Sequence, residues 1–320
     1  MTTRFCTLFD VNYAARGLVM LESLARHHPQ PFEVYVLALD EGAHRLAQQL
    51  GRGAWRVLAI ADLGDDELMA LQGVRPHREF CWTCTPALSD YLVRTGAAGD
   101  DVCYLDADMM FFADPQVLID ELEADGSILI HEHRYSANMS DWETSAGRFN
   151  VGFVGFRIGE EAQRCTGRWR AQVIEKCVRD PENGYCGDQG YLNEWPQLYP
   201  GLRIMANIGG GVAPWNVAQY EVRDGGCGPC VDGVPVVFYH YHALRAVVLG
   251  RLGMIAALPS LGYSFSRDVH RHLYMPYARR LRRAIARQRA IAPVRSEHAT
   301  TLLQTIRGLR GGTLVPAVLA

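Results

Sequence analysis

The chain lacks an apolar run long enough to cross a bilayer, and it lacks a strong charge of either sign. Its longest apolar stretch near the end, Ala246 to Leu261, is broken by Arg251 and falls short of the roughly 20 residues a spanning helix needs. A formal net charge of −3 across 320 residues gives no general attraction to nucleic acid, so no nucleic-acid partner is expected. Met1-Thr2-Thr3-Arg4-Phe5 leads straight into a core-like strand without the layout of a secretion signal. No internal repeat or low-complexity linker is present. Nine cysteines, an odd number, fit cytosolic thiols better than a disulfide framework, and a cytoplasmic location is expected.

What is present is ordinary for a soluble globular protein: 48% hydrophobic and 21% charged residues. The length can bury a large core as one enlarged α/β domain or two modest ones. Charge is uneven along the chain. From Arg267 onward arginines face only Asp268 and Glu297, and Arg279-Arg280-Leu281-Arg282-Arg283 is the densest cluster.

The first half alternates in type. Strands are predicted at Phe5–Phe9, Phe32–Leu39, Trp55–Ile60, Val102–Leu105 and Ser127–His131. Between them, Tyr13 to His28 carries Leu18, Leu21, Leu24 and Ala25 at helical spacing. Further helices are expected at Gly42–Leu50, Asp65–Leu71, Pro86–Thr95 with Pro86 in the first turn, and Pro115–Glu123. This alternation implies a largely parallel sheet covered by helices on both faces. The second half reads as a strand over Phe149–Ile158, a helix over Glu161–Arg179, and a short helix over Gly187–Trp195 stopped by Pro196. A tight turn at Gly209-Gly210-Gly211 and a hairpin turn at Asp232-Gly233 within Val231–Tyr241 follow. The one domain-like break falls near residue 250, dividing a body (1–250) from a basic, mainly helical extension (251–320).

The most informative stretch runs from Val102 to Phe112, where Asp106 and Asp108 close an apolar, β-prone run. Residues i and i+2 of a strand face the same side, so the two carboxylates are expected to converge on one divalent cation. Paired oxygen ligands at the carboxyl end of a buried strand suit Mg²⁺ or Mn²⁺ against a diphosphate. An Asp-rich turn on an edge strand is the bland alternative. Asp10 closes an earlier strand, and ligands of open α/β sheets gather outside the carboxyl ends of the strands.

Five segments make a set: Phe9-Asp10-Val11-Asn12-Tyr13, Tyr104-Leu105-Asp106-Ala107-Asp108, Phe149-Asn150-Val151-Gly152-Phe153, Gly187-Asp188-Gln189-Gly190-Tyr191-Leu192-Asn193 and Phe238-Tyr239-His240-Tyr241-His242. In this order and spacing, over roughly residues 4 to 245, they resemble the family 8 glycosyltransferases, the group of bacterial lipopolysaccharide galactosyl- and glucosyltransferases and glycogenin. The resemblance implies the α/β GT-A fold, a Rossmann-like nucleotide-diphospho-sugar transferase fold with a mostly parallel central sheet, helices on both faces and a small C-terminal helical extension. It implies transfer of a sugar, with retention, from a UDP-sugar to a glycan or lipid-linked acceptor, using Mn²⁺ or Mg²⁺. Residue by residue, Asp10, Asn12 and Tyr13 match the segment holding uracil and ribose, with Tyr13 stacked on the base, and Leu8, Asp106 and Ala107 complete the nucleotide contacts. Asp106, Asp108 and His240 match the metal ligands. Asn150 and Gly152 match the strand at the donor sugar, Asp188 holds sugar hydroxyls, and Gln189 sits near the anomeric carbon. His242 and Arg245 are placed for the diphosphate. Trp215-Asn216 resembles a Trp-Asn pair carried before the last strand.

Two departures stand out. The helix before the acid pair, Thr85-Pro86-Ala87-Leu88-Ser89-Asp90-Tyr91-Leu92, lacks the basic residue of the related transferases, and the last motif is His-Tyr-His-Ala. A sugar-nucleotide pyrophosphorylase shares the sheet and the aspartates, but Phe9 to Gly17 has no Gly-rich loop for a triphosphate. A non-catalytic nucleotide-sugar or carbohydrate-binding protein is the alternative of another class. At single positions, Asp10 and Asp188 compete as helix caps, Asn150 as a backbone partner and His240 as a core histidine. Cys81-Trp82-Thr83-Cys84 and Cys227-Gly228-Pro229-Cys230 raise structural zinc or redox chemistry, against plain thiols or a local disulfide. The basic tail, with Tyr277, Leu281 and Ile285 interleaved, suits peripheral contact with an anionic membrane at the inner face as well as a solvated helix.

Overall fold

The computed structural model describes residues 2–122, 125–180, 185–249, 252–257, 263, 265–292 and 314–316. Seven strands form the central sheet. Six are labelled β1 (Thr3–Phe9), β2 (Phe32–Ala38), β3 (Trp55–Ala59), β4 (Asp101–Leu105), β6 (Ile128–Glu132) and β7 (Phe149–Arg157), while β5 (Met109–Phe111) lies outside it. The order is Leu202–Ile204, β6, β7, β4, β1, β2, β3. β1 runs parallel to β2 and β4, β2 to β3, and Leu202–Ile204 to β6. Only β7 is antiparallel to its neighbours β4 and β6. β1 is buried nearly throughout because both sheet faces are covered. Leu8, Leu88, Tyr104 and Trp169 share one core, and Phe5, Phe9, Leu21 and Leu105 share the other.

Strand order reverses between β1 and β4. A crevice opens at such a switch point, because the connections leave for opposite sides of the sheet. Asp10 follows β1 and Asp106 follows β4, so they flank it.

The helices α1 (Ala14–His27), α2 (Glu41–Gly51) and α3 (Asp66–Leu71) lie within a residue or so of their expected bounds. The next one differs. α4 spans His77–Thr95 and carries Pro86 inside it, not in the first turn. Packing of Phe80, Thr83 and Cys84 into the core outweighs the backbone bond that Pro86 removes. Gln116–Ile119 is a single helical turn continued as a 3₁₀ turn over Asp120–Leu122, and the later long helix ends at Glu175. Pro196 does not stop a helix. It opens the short helix Trp195–Leu198, where its missing N–H is not needed. Asp232 and Gly233, at φ 48° and 82°, form the expected hairpin turn, with Val231 paired to Val234.

A third core joins the tail to the body. Ala15, Leu18 and Val19 of α1 pack with Tyr239, Tyr241, Tyr277 and Leu281, the last two from the helix Met275–Ile291. The rings of Tyr241 and Tyr277 stack at 3.6 Å and 11°. The apolar stripe read as available to a membrane is therefore spent against α1, and Arg279, Arg282, Arg283 and Arg289 are what the helix exposes. Among the described residues no helix is long and apolar enough to cross a membrane. Truncating Leu281→Ala should cost about 2–5 kcal/mol in urea unfolding, as for any well-packed core leucine, whereas a tail helix independent of the body would give almost none.

Candidate functional site

The acid pair sits in a turn. β4 ends at Leu105, and Asp106 N donates to Gly152 O at 2.9 Å, extending the β7 pairing by one residue. β5 then pairs antiparallel with the strand Phe238–His240, setting His240 against Met109. Tyr241 N donates to Asp108 O at 2.8 Å. The carboxylates thus converge because a turn joins two strands, not by the alternation of one continuous strand.

His240 Nε2 lies 3.0 Å from Asp108 Oδ1 and 3.7 Å from Asp106 Oδ2. One ligand atom from each of the three residues lies within 4.8 Å of the others, and among the described residues no other group of three His, Cys, Asp or Glu does this. Tyr104 donates its hydroxyl to Asp106 Oδ1 at 3.0 Å. Burial pushes the Asp106 carboxyl up, and the negative charge of Asp108 adds to this against the pull of His240. Burial would also raise Asp108, but the charge and hydrogen bond of His240 hold it down at about 2. Burial would lower His240, yet the two aspartates raise it above its ordinary value. The two aspartates thus favour the protonated form of the imidazole that stands between them. The same donor set, two hard oxygens and one imidazole nitrogen, fits Mn²⁺ or Mg²⁺, and imidazole favours the transition metal.

Gly152 lies directly beneath this cluster. A Cβ there would come 2.8 Å from His240 Nδ1 and 2.7 Å from Asn150 Oδ1. The metal and sugar ends of the expected site are thus separated by one bare backbone position. Asn150 Oδ1 accepts from Gly152 N at 2.8 Å, and Asn150 Nδ2 donates to Gln189 Oε1 at 2.9 Å. Asp188 is buried. Its burial and the charge of Asp106 hold its carboxyl well above the usual range, while Thr85 hydrogen-bonds to it.

At the expected nucleotide end, Asp10 Oδ1 accepts from the backbone of Asn12 at 3.0 Å and of Tyr13 at 2.9 Å, turning the chain into α1. Its other oxygen meets His77 Nε2 at 2.9 Å. Tyr13 is 41% exposed, with the Arg16 guanidinium 4.4 Å over its ring. Leu8 and Ala107 are buried, with their side chains in the core. His242 Nδ1 meets Tyr263 Oη at 2.9 Å, and burial, then the charge of His240, holds it down at about 4. It is neutral near pH 7. The side chain of Arg245 lies outside the described residues. Trp215 packs edge-on against both His240 and His242.

Three side chains in contact with Asp10, Tyr13 and Asn150 escape sequence reasoning. His77 falls in the part of α4 that was not expected to be helical, and Arg16 reads as an ordinary surface residue of α1. His133 had a faint signal, two histidines alternating across Glu132 at the end of β6. The cysteine pairs form no shared site. Cys81 and Cys84 lie in α4, Cys227 and Cys230 at the Pro229–Val231 hairpin, and all nine cysteines are free.

These features define the GT-A fold, with a candidate metal-binding cluster at its strand-end rim. Over 92% of this chain and 98% of the other, it superposes on the galactosyltransferase LgtC in complex with donor and acceptor sugar analogs, with a TM-score of 0.54 at 19% identity. An active-site mutant of LgtC gives 0.51 at 20% identity, over 75% and 87% of the two chains. By sequence the chain is similar to Bacillus subtilis (strain 168) YfnD, 29% identical over 248 residues and 77% and 79% of the two chains. It is 27% identical to YfnF of the same strain over 263 residues, 80% and 86% of the two. No protein-family model matches it.

Two outcomes are expected. Gly152→Ala should weaken Mn²⁺ binding in calorimetry, because His240 or Asn150 must shift; an unchanged affinity would show that the cluster does not rely on that close approach. Mn²⁺ must displace the proton from His240, so below the raised pKa its affinity should fall about tenfold per pH unit, and above it should level off. A flat profile from pH 5 to 9 would remove His240 from the ligand set.

Proposed function

We propose that the protein is a metal-dependent glycosyltransferase of the family 8 type. It moves a hexose from a UDP-sugar to a glycan or lipid-linked acceptor with retention of configuration, as in polysaccharide or lipopolysaccharide biosynthesis. The observation that carries this reading is the convergence of Asp106, Asp108 and His240 at the switch point, one glycine away from Asn150 and its partner Gln189. A bound divalent cation supplies charge neutralisation to the departing diphosphate.

The chain's own residues do the rest. Tyr13 offers a half-exposed ring for the uracil, and Arg16 above it supplies positive charge where α4 lacks its usual basic residue. Asp10 holds the Asn12-Tyr13 turn in place for the ribose. Asp188 is placed to hold sugar hydroxyls, its carboxyl raised above the usual range by burial and then by the charge of Asp106. The exposed arginines of Met275–Ile291 support electrostatic contact with an anionic inner-leaflet surface that presents a lipid-linked acceptor.

Calorimetry of UDP, with and without Mn²⁺, on wild type and Asp108→Ala tests the reading. Binding should require Mn²⁺ and weaken at least about tenfold in the variant. If UDP fails to bind in either condition, the uridine assignment falls, and GDP, dTDP and CDP become the next probes.

A further inference from the structure

His133 is 3% exposed, at the end of β6, and the reading above gives it no part. Its ring stacks on Tyr135 at 4.6 Å and 11°. Its Nδ1 lies 3.3 Å from Arg148 O, a carbonyl that can only accept, so Nδ1 carries the proton and Nε2 is a bare acceptor. Asn150 Nδ2 stands 3.3 Å from that nitrogen.

The amides beyond it are determined in turn. Asn150 Oδ1 is taken by Gly152 N–H, so its amino group has two protons to place, one toward His133 Nε2 and one toward Gln189 Oε1. Gln189 Nε2 then donates to Ala146 O at 2.5 Å. The chain of bonds starts on Arg148 and ends on Ala146, with Gly147 at φ 89° between them. Asn150 donates in both directions, and each end of the chain closes on a carbonyl that can only accept. Reversing either amide would set two donors or two acceptors against each other at a buried contact, which costs about 1–3 kcal/mol.

We propose that His133 is a positioning residue for the sugar end of the site. By accepting from Asn150, it joins Gly152 N–H in fixing the orientation of the Asn150 amide and, through it, that of Gln189, so that Gln189 Oε1 faces Asn150 and its amino group faces the loop. This rests on the transferase reading for its catalytic consequence, but not for its structural one. The imidazole acts as a neutral acceptor throughout the working pH range, since burial holds its pKa at about 3. The backbone carbonyl of the same residue accepts from Trp215 Nε1 at 3.0 Å and Asn216 Nδ2 at 2.8 Å. The segment carrying His240's aromatic neighbour is thereby tied to the same point.

The test compares wild type, His133→Leu, which removes the acceptor, and His133→Gln, which restores an acceptor and a donor at similar reach. Side-chain ¹⁵N NMR of the full chain should show His133 as the Nδ1–H tautomer and Gln189 as a single amide conformer. In His133→Leu the Gln189 amide signals should shift and exchange faster, and in His133→Gln they should recover. With UDP-glucose and Mn²⁺, His133→Leu should lower kcat for donor turnover by about 10–100-fold while leaving KM and UDP affinity unchanged, with recovery in His133→Gln. An unmoved Gln189 amide in His133→Leu overturns the proposal, as does a loss of UDP binding in step with turnover. A wild type that neither binds UDP nor turns over a nucleotide sugar sinks the transferase reading instead, and the amide signals then decide the positioning role alone.

Discussion

Two carboxylates one residue apart, both partly withdrawn from water, repel each other, and His240 supplies the counter-charge between them. Much of the fold serves that contact. The ladder between β5 and Phe238–His240 sets the register, the Tyr241 N–H to Asp108 bond fixes the turn, and Val212 O receives the backbone N–H of His240. Behind the ladder, Tyr239 and Tyr241 are buried in the core built by α1 and Met275–Ile291. The helix Met275–Ile291 thus bears on the candidate metal cluster from outside, through packing against Tyr239 and Tyr241.

Beside this charged cluster lies a polar system of a different kind. His133, Asn150 and Gln189 are neutral, and their order comes from matched donors and acceptors, not from charge. Gly152 divides the two systems and admits both at close range. Such a division suits a reaction in which a diphosphate must be neutralised at one end while a sugar is held still at the other. A charged residue in place of His133 would couple the two ends, whereas a neutral imidazole keeps them electrically separate.

The parallel strands were legible because burial on both faces makes them rich in apolar and β-branched residues, and the early helices because an amphipathic stripe recurs at 3.6 residues. α4 was half hidden. Pro86 and the mixture of cysteine, tryptophan and threonine before it read as a boundary, yet Phe80 and Cys84 pack well enough to carry the helix through. His77, and with it the partner of Asp10, was lost for the same reason. The tail's Tyr277 and Leu281 read equally well as a lipid-facing stripe, because amphipathicity shows that a face is buried but not against what.

The sequence by itself determined the chemical inventory: two aspartates closing a strand, a late histidine, and the Asn-x-Gly and Asp-Gln pairs, each named by local order alone. Tertiary structure decided which atoms meet. His240 lies 132 positions from Asp108 (240 − 108), and no local rule sets the ladder that brings them to 3.0 Å. The direction of each bond from His133 to Gln189 was likewise invisible, because an amide's orientation depends on every neighbour that can donate or accept, and those neighbours come from separate loops.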